Sequence, residues 1–314
     1  MNRRRWLAAG AAAAAAACPA RRSEKDWGRK EAVFVLKAAS YSRELAAEIR
    51  RALAECGIGF RGKRVLLKPN LVEFSRATAI NTHPVFVASV MDALLGLGAA
   101  DVRIGEGPGH RRDTWTLAEE AGYFDAIPDF EKRFVDLNRD EVAVAGELGG
   151  FGPLWAPRSV LAADCIVSLP KMKTHHWAGV TLSMKNLFGV VPGSLYGWPK
   201  NVLHHYGLEQ SIVKLAGTLG RKTVALVDGI VGMEGNGPIQ GKPRPAGVIV
   251  AGANLAAVDA TCCRLMGINP ERIRFLEMAQ HLGPVSEGWI EQRGERIEDL
   301  RQNFELMPMW AHLR

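Results

Sequence analysis

Short apolar runs rich in β-branched residues alternate along this chain with stretches whose apolar positions recur at helical spacing. Ala32–Leu36, Arg64–Leu67 running into Pro69, Asp101–Ile104, Phe134–Leu137, Glu141–Val144, Cys165–Leu169, Thr223–Asp228 and Gly247–Ala251 predict strands. Between them, Ser42–Cys56 predicts a helix with Ser42 as N-cap and Gly57 as stop. A second runs from His83-Pro84 to Leu97, with proline in its first turn and Gly98 at its end. Asp113–Ala121, Tyr206–Leu219 and Leu255–Met266 complete the helical set. This alternation predicts an α/β fold, a mainly parallel sheet with helices on both faces. Glycine and proline cluster at 149–157, where two lobes could divide. The more polar stretch 286–314 predicts a tail lying over the surface.

The N-terminus breaks the pattern. Arg3, Arg4 and Arg5 precede Trp6-Leu7 and a run of almost pure alanine to Ala17. The order resembles the twin-arginine export signal, with Trp6 where phenylalanine is usual. The run is about half of the ~20 residues that a membrane span requires, so residues 1–17 read as an export signal and not as an anchor. Cys18 follows a small-residue site resembling a lipoprotein cleavage box, with Ala15 where leucine is usual, and is a candidate lipidation site. Residues 18–30 read as a polar linker, and 31–285 as the folded unit.

Charge adds less than its total suggests. The net value is +7, but the signal arginines carry three charges and residues 21–30 a net three more, leaving about +1 for 31–314. The basic balance therefore gives no support to a nucleic-acid partner. Five cysteines without a CxxC pair form neither a disulfide framework nor a zinc or iron–sulfur motif. The expected partners are the export machinery and a small anion, with membrane contact only through Cys18.

In open α/β sheets, ligands collect at the carboxyl ends of strands. Four polar clusters fall there: Lys68-Pro69-Asn70 with Glu73, Gly105–His110, Lys171–His176, and Asp228 with Glu234. The third begins the most unusual stretch of the chain. No Asp or Glu occurs over the 44 residues from Cys165 to Leu208, which hold Lys171, Lys173, Lys185, Lys200 and four histidines. Lysines without neighbouring acids suit phosphate, carboxylate or a developing oxyanion. Lys171 and Lys173 share one side of an extended segment, whereas His175 and His176 should point apart, with His175 favoured as base or metal ligand.

The turn Gly105-Glu106-Gly107-Pro108-Gly109 departs from a dinucleotide fingerprint, since Pro108 interrupts it and His110 replaces the third glycine; it serves better to present Glu106. Gly235, Gly237 and Gly241 suggest a mobile lid beyond Asp228. Asp259, inside the apolar pattern Ala256–Thr261, needs a buried partner, either a lysine or a strand end that it caps.

Lys68-Pro69-Asn70-Leu71, Thr82-His83-Pro84, Gly105-Glu106-Gly107, Leu169–His175, Ser183–Gly189, Val227-Asp228-Gly229 and Ala257–Ala260, taken in order, resemble the family catalogued as domain of unknown function 362 (DUF362). The resemblance spans about 31–285. It implies that these residues converge on one cleft but assigns no reaction. Some members carry an added ferredoxin-like module; its cysteine runs have no counterpart here.

The leading expectation is an exported enzyme acting on a small anionic substrate. Lys171, Lys173, His175, Lys185, Asp228 and Glu106 are the candidate catalytic residues. Lys68, Asn70, Thr174, Asn186 and His83 are the candidate substrate-binding residues. Asp228, Glu106 and His175 are the candidate ligands should a divalent metal be the cofactor. A metal- or iron–sulfur-linked redox protein and a non-catalytic periplasmic binding protein are the alternatives.

Overall fold

The computed structural model describes residues 28–109 and 112–314. The segment expected to be an export signal, Cys18 and most of the expected linker lie outside the described residues, as does His110. Ten strands form one sheet, whose main path runs β12-β1-β11-β10-β7-β2-β3-β4. The strands on that path are β1 (Glu31–Lys37), β2 (Arg64–Pro69), β3 (Asp101–Glu106), β4 (Phe134–Asp136), β7 (Cys165–Leu169), β10 (Thr223–Glu234), β11 (Lys242–Gly252) and β12 (Ile290–Gly294). Two further strands, β8 (Lys171–His175) and β9 (Gly179–Thr181), leave the path beside β10. Pairing is parallel from β10 through β7, β2 and β3 to β4; β11 is antiparallel to both β1 and β10.

Alternating side chains divide between two apolar layers, as the period of two in a strand requires. Val65 and Leu67 of β2 face the layer covered by helices α1 (Leu45–Glu55) and α2 (Pro84–Gly96). Leu66 faces the other layer, where α6 (Leu208–Leu219) and α7 (Leu255–Leu265) pack. Between α2 and α6 lie α3 (Thr114–Glu120), α4 (Ser183–Asn186) and α5 (Asn201–Tyr206). The expected sheet with helices on both faces is the observed one.

Several local expectations need correction. The first helix starts at Leu45, because Ser42 Oγ accepts the Glu44 N–H two residues on and forms a turn of its own. The expected Tyr206–Leu219 helix is split by Gly207, whose φ of +114° is open to glycine alone. The glycine–proline cluster at 149–157 is no lobe boundary. It closes the hairpin of β5 (Val142–Glu147) and β6 (Pro153–Pro157), whose Leu154 joins the same apolar layer as the main sheet. Nor is 286–314 a surface tail: β12 extends the sheet beside β1, and Phe304 and Leu313 are buried.

Candidate active site

Chain order positions the site. From β2 the path steps outward to β3 and β4, then returns to β7 on the other side of β2. The carboxyl ends of β2 and β7 therefore flank a topological switch point, where a crevice opens. A cavity of about 650 Å³ lies there. Its walls come from the segments after β2 and β3, from β8, α4 and α5, from the β10–β11 turn, and from Met307 and Met309.

The floor is a buried ion pair. Lys68 Nζ stands 2.7 Å from Glu106 Oε2 and donates also to the Pro69 carbonyl at 2.7 Å. Glu106 accepts the Leu71 N–H through Oε2 and the Gly107 N–H through Oε1, so both oxygens are engaged. The pair is sealed by Gly189, where any Cβ would overlap Lys68 and Glu106. Asn186 is likewise occupied, donating to the Lys68 carbonyl and to Ser168 Oγ. Lys200 gives its three N–H donors to the carbonyls of Gly107, Phe188 and Val191, and burial pushes it down to about 7. These groups hold the cavity in shape; their donors are spent on the protein.

The groups left over face the cavity. Lys185 lies on α4, which Asp259 fixes by accepting the Ser183 hydroxyl and the Ser183 and Met184 N–H groups. That settles Asp259 as the cap of a helix start and not a lysine partner; burial pushes its carboxyl up to about 7. The Lys185 ammonium meets no hydrogen-bond acceptor among the described residues, and burial lowers it to about 8. Its neighbour in space is the Phe188 ring, whose centroid is 5.2 Å away. Asn70 Oδ1 and Thr181 Oγ1, both on the lining, are buried without a partner. Lys173 gives two donors to the Ile80 and Pro238 carbonyls, which leaves one N–H.

The histidines correct the sequence reading. The strand ends at His175, and the turn that follows stacks the His175 and His176 rings at 4.8 Å, so both line the cavity. His175 Nδ1 accepts the N–H groups of Trp177 and Ala178. The proton of its neutral ring is therefore on Nε2. Burial, and then the Lys185 charge, push the imidazolium form down. His175 is thus a neutral donor and has no lone pair at Nε2 for a metal or a proton. His176 is the reverse: Nδ1–H donates to the Gly237 carbonyl at 2.7 Å, which leaves Nε2 as acceptor.

Lys171, Asp228 and His83 belong to a different place. Asp228 is not a strand end but the middle of β10, beside a register shift between Gly229 and Val231. Lys171 Nζ stands 2.6 Å from Asp228 Oδ2 and donates to Tyr41 Oη and the Val231 carbonyl. Tyr41 and the His83 N–H donate to the same carboxylate, and the Tyr41 and His83 rings stack at 3.8 Å. Residues 70–72 line the main cavity, whereas 74–84 line a second depression of about 470 Å³ that holds Lys171, so the loop after β2 stands between the two lysine heads. Thr174 lines neither, since its hydroxyl donates to the Gly235 carbonyl. With the His176 and Lys173 bonds to residues 237 and 238, this ties down the glycine turn expected to be a lid. Among the described residues no three metal-ligating side chains gather, and Asp228, Glu106 and His175 do not converge.

Asp228→Asn should therefore lower stability by about 2–4 kcal/mol, because it leaves Lys171 buried beside a neutral group. Chemical denaturation measures this. Unchanged stability with lost ligand affinity would place Asp228 in the ligand site instead.

Residues 65–264, almost two thirds of the chain, match the model of the family described as Domain of unknown function (DUF362). The chain belongs to that family. This DUF362 protein is 29% identical over 265 residues to Thylakoid-associated protein sll1697 of Synechocystis sp., which covers 81% of this chain and 80% of that one. Among solved structures it is similar to a lactate racemase apoprotein from Thermoanaerobacterium thermosaccharolyticum at 16% identity and a TM-score of 0.48, and to a Thermotoga maritima protein at 15% and 0.43. The matches cover 77% and 79% of this chain but only 58% and 60% of those two chains.

Sequence reasoning placed Lys200 in the acid-free stretch without giving it a role, and gave none to Thr181, Tyr41, Met307 or Met309. Lys200 carried a signal, being inside the acid-free stretch. Tyr41 and the methionines carried none, since long-range folding alone brings them to a site.

Proposed function

We propose that this DUF362 protein is an exported enzyme that binds a small anionic molecule head-first on Lys185 and acts on it. One observation carries the reading: the Lys185 ammonium has no acceptor among the described residues, in a cavity where Asn70 Oδ1 and Thr181 Oγ1 also lack partners. Buried polar atoms such as these two oxygens are nearly always paired, and the partly exposed Lys185 opens beside them onto a cavity that can take a ligand. A carboxylate or phosphate would accept from Lys185, from the remaining Lys173 N–H and from His175 Nε2–H. A hydroxyl or amine on the same molecule would donate to Asn70 Oδ1. His175, neutral and pointing a donor, is suited to a developing oxyanion. His176 Nε2 is suited to accept a proton, and Lys185, at about 8, to exchange one near neutrality. Glu106, Asp228, Lys68, Lys171 and Asn186 serve as positioning residues. The Arg3–Arg5 signal supports export, with Cys18 as the route to any membrane anchor.

Calorimetric titration with phosphate and short carboxylates tests this. Lys185→Ala should weaken binding at least ten-fold, as expected for a charge-assisted hydrogen bond worth about 1.5–3 kcal/mol. Affinity should be full below about pH 7 and fall as pH rises through about 8, because the charged ammonium is the binding form. An ordinary lysine would hold it beyond pH 10. Affinity indifferent to both changes would remove Lys185 from the site, and stoichiometric binding of an unaltered ligand would leave a binding protein.

A further inference from the structure

The cavity is far larger than a bare phosphate or carboxylate, and its lining is of two kinds. Lys185, His175 and Asn70 contribute polar atoms. Trp177, Phe188, Pro199, Ile239, Met307 and Met309 contribute apolar surface. Trp177 and Met309 are 55% and 60% exposed, high values for large apolar side chains. Apolar side chains exposed singly are ordinary, but here they line the same cavity as a cation that meets no acceptor among the described residues.

The methionine side of the cavity is held in place. Trp310 Nε1–H donates to the His176 carbonyl at 3.0 Å, directly behind the histidine pair. Leu313 is buried, and its carbonyl accepts the Asn269 N–H at 2.7 Å. The segment carrying Met307 and Met309 is thus fastened at the cavity edge. Thioether side chains adapt to flexible apolar shapes better than branched ones do.

We propose that the ligand is an amphiphile, an anionic head on an unbranched or isoprenoid-like apolar tail, and that Met307 and Met309 with Trp177 form the tail subsite. The inference rests on the anion reading above, since the head would sit on Lys185. It adds what that reading leaves open, namely the occupant of the apolar part of the cavity. The same chemistry could come from a free amphiphile or from a bilayer lipid.

The test is a chain-length series. Acetate, butanoate, hexanoate and octanoate, each below its self-association concentration, are titrated into the purified full chain. A buried methylene increases affinity by up to about four-fold. Octanoate should therefore bind at least ten-fold tighter than acetate, and Met309→Asp should shrink that ratio at least three-fold. Flotation with phosphatidylglycerol vesicles forms the second arm. Vesicle binding sensitive to Met309→Asp assigns a bilayer source, binding of octanoate alone a free one, and both uphold the tail subsite. A flat series with measurable acetate binding and no vesicle binding overturns the tail subsite and leaves the Lys185 head site standing. Binding in neither arm, acetate included, overturns both.

Discussion

Lys68→Met should cost about 3–5 kcal/mol of folding stability, read as a lower denaturant midpoint at unchanged slope. The side chain has no solvent exposure, and the carboxylate it neutralises is almost as buried. Met fills most of the lysine stem's volume, so little of the loss comes from a cavity. What it removes is the only cation paired with Glu106 among the described residues. That carboxylate keeps the Leu71 and Gly107 N–H groups, which are two neutral donors against a full charge. Burial pushes Lys68 down, and the Glu106 carboxylate opposes that shift. The double variant Lys68→Met/Glu106→Gln should recover more than half of the loss, because a neutral pair carries no unpaired charge. A single variant as stable as the parent would mean that the ion pair contributes nothing to stability.

Much of this architecture could be read from residues taken in order. The strand from Cys165 to Leu169, the Pro84 helix start and the Asp113 cap follow from local chemistry, which neighbouring residues carry. The acid-free stretch supplies Lys173, His175, Lys185 and Lys200 to one cavity. What could not be read is which lysine finds a carboxylate. Lys171 and Lys173 are equivalent by spacing, yet only Lys171 lies opposite Asp228 on β10. That difference depends on strand pairing 57 residues away along the chain. The same holds for His175 and His176. Their alternation stops because the chain turns immediately after β8, and a turn places neighbours side by side where a strand would separate them. The polar stretch after Gly283 hid its role for a related reason. A short parallel edge strand such as β12 needs few apolar residues, because β1 supplies its hydrogen bonds.

Gly189→Ala tests the floor from the opposite side. The Lys68→Met change removes a charge and keeps the space; this one keeps the charges and removes the space. A Cβ at 189 would overlap Glu106 Oε1 and Lys68 Nζ and come within 2.6 Å of Lys68 Cε. Neither side chain can retreat cheaply. Lys68 is tied to the Pro69 carbonyl, Glu106 to two backbone N–H groups, and the Gly189 carbonyl accepts the Gly107 N–H at 3.0 Å. Something must break, either the ion pair or the backbone contact between 107 and 189. The expected loss is about 3 kcal/mol or more, the sum of overpacking and a damaged buried pair. Gly109→Ala is the control, since its nearest neighbour would be Pro199 Cβ at 4.0 Å, and it should move stability by less than about 0.5 kcal/mol. A shortened side chain at 68 should also couple with the change at 189. In Lys68→Ala/Gly189→Ala the shortened side chain vacates part of the space that the new methyl group needs, so the double loss should fall below the sum of the singles by at least about 1 kcal/mol. Strict additivity would mean that the methyl group displaces the backbone at 107 and not the ion pair, and that the glycine is required for the close approach of two loops. In either case the cavity's floor depends on the absence of a side chain at 189, because the space that a Cβ would need is already taken by the Lys68–Glu106 pair.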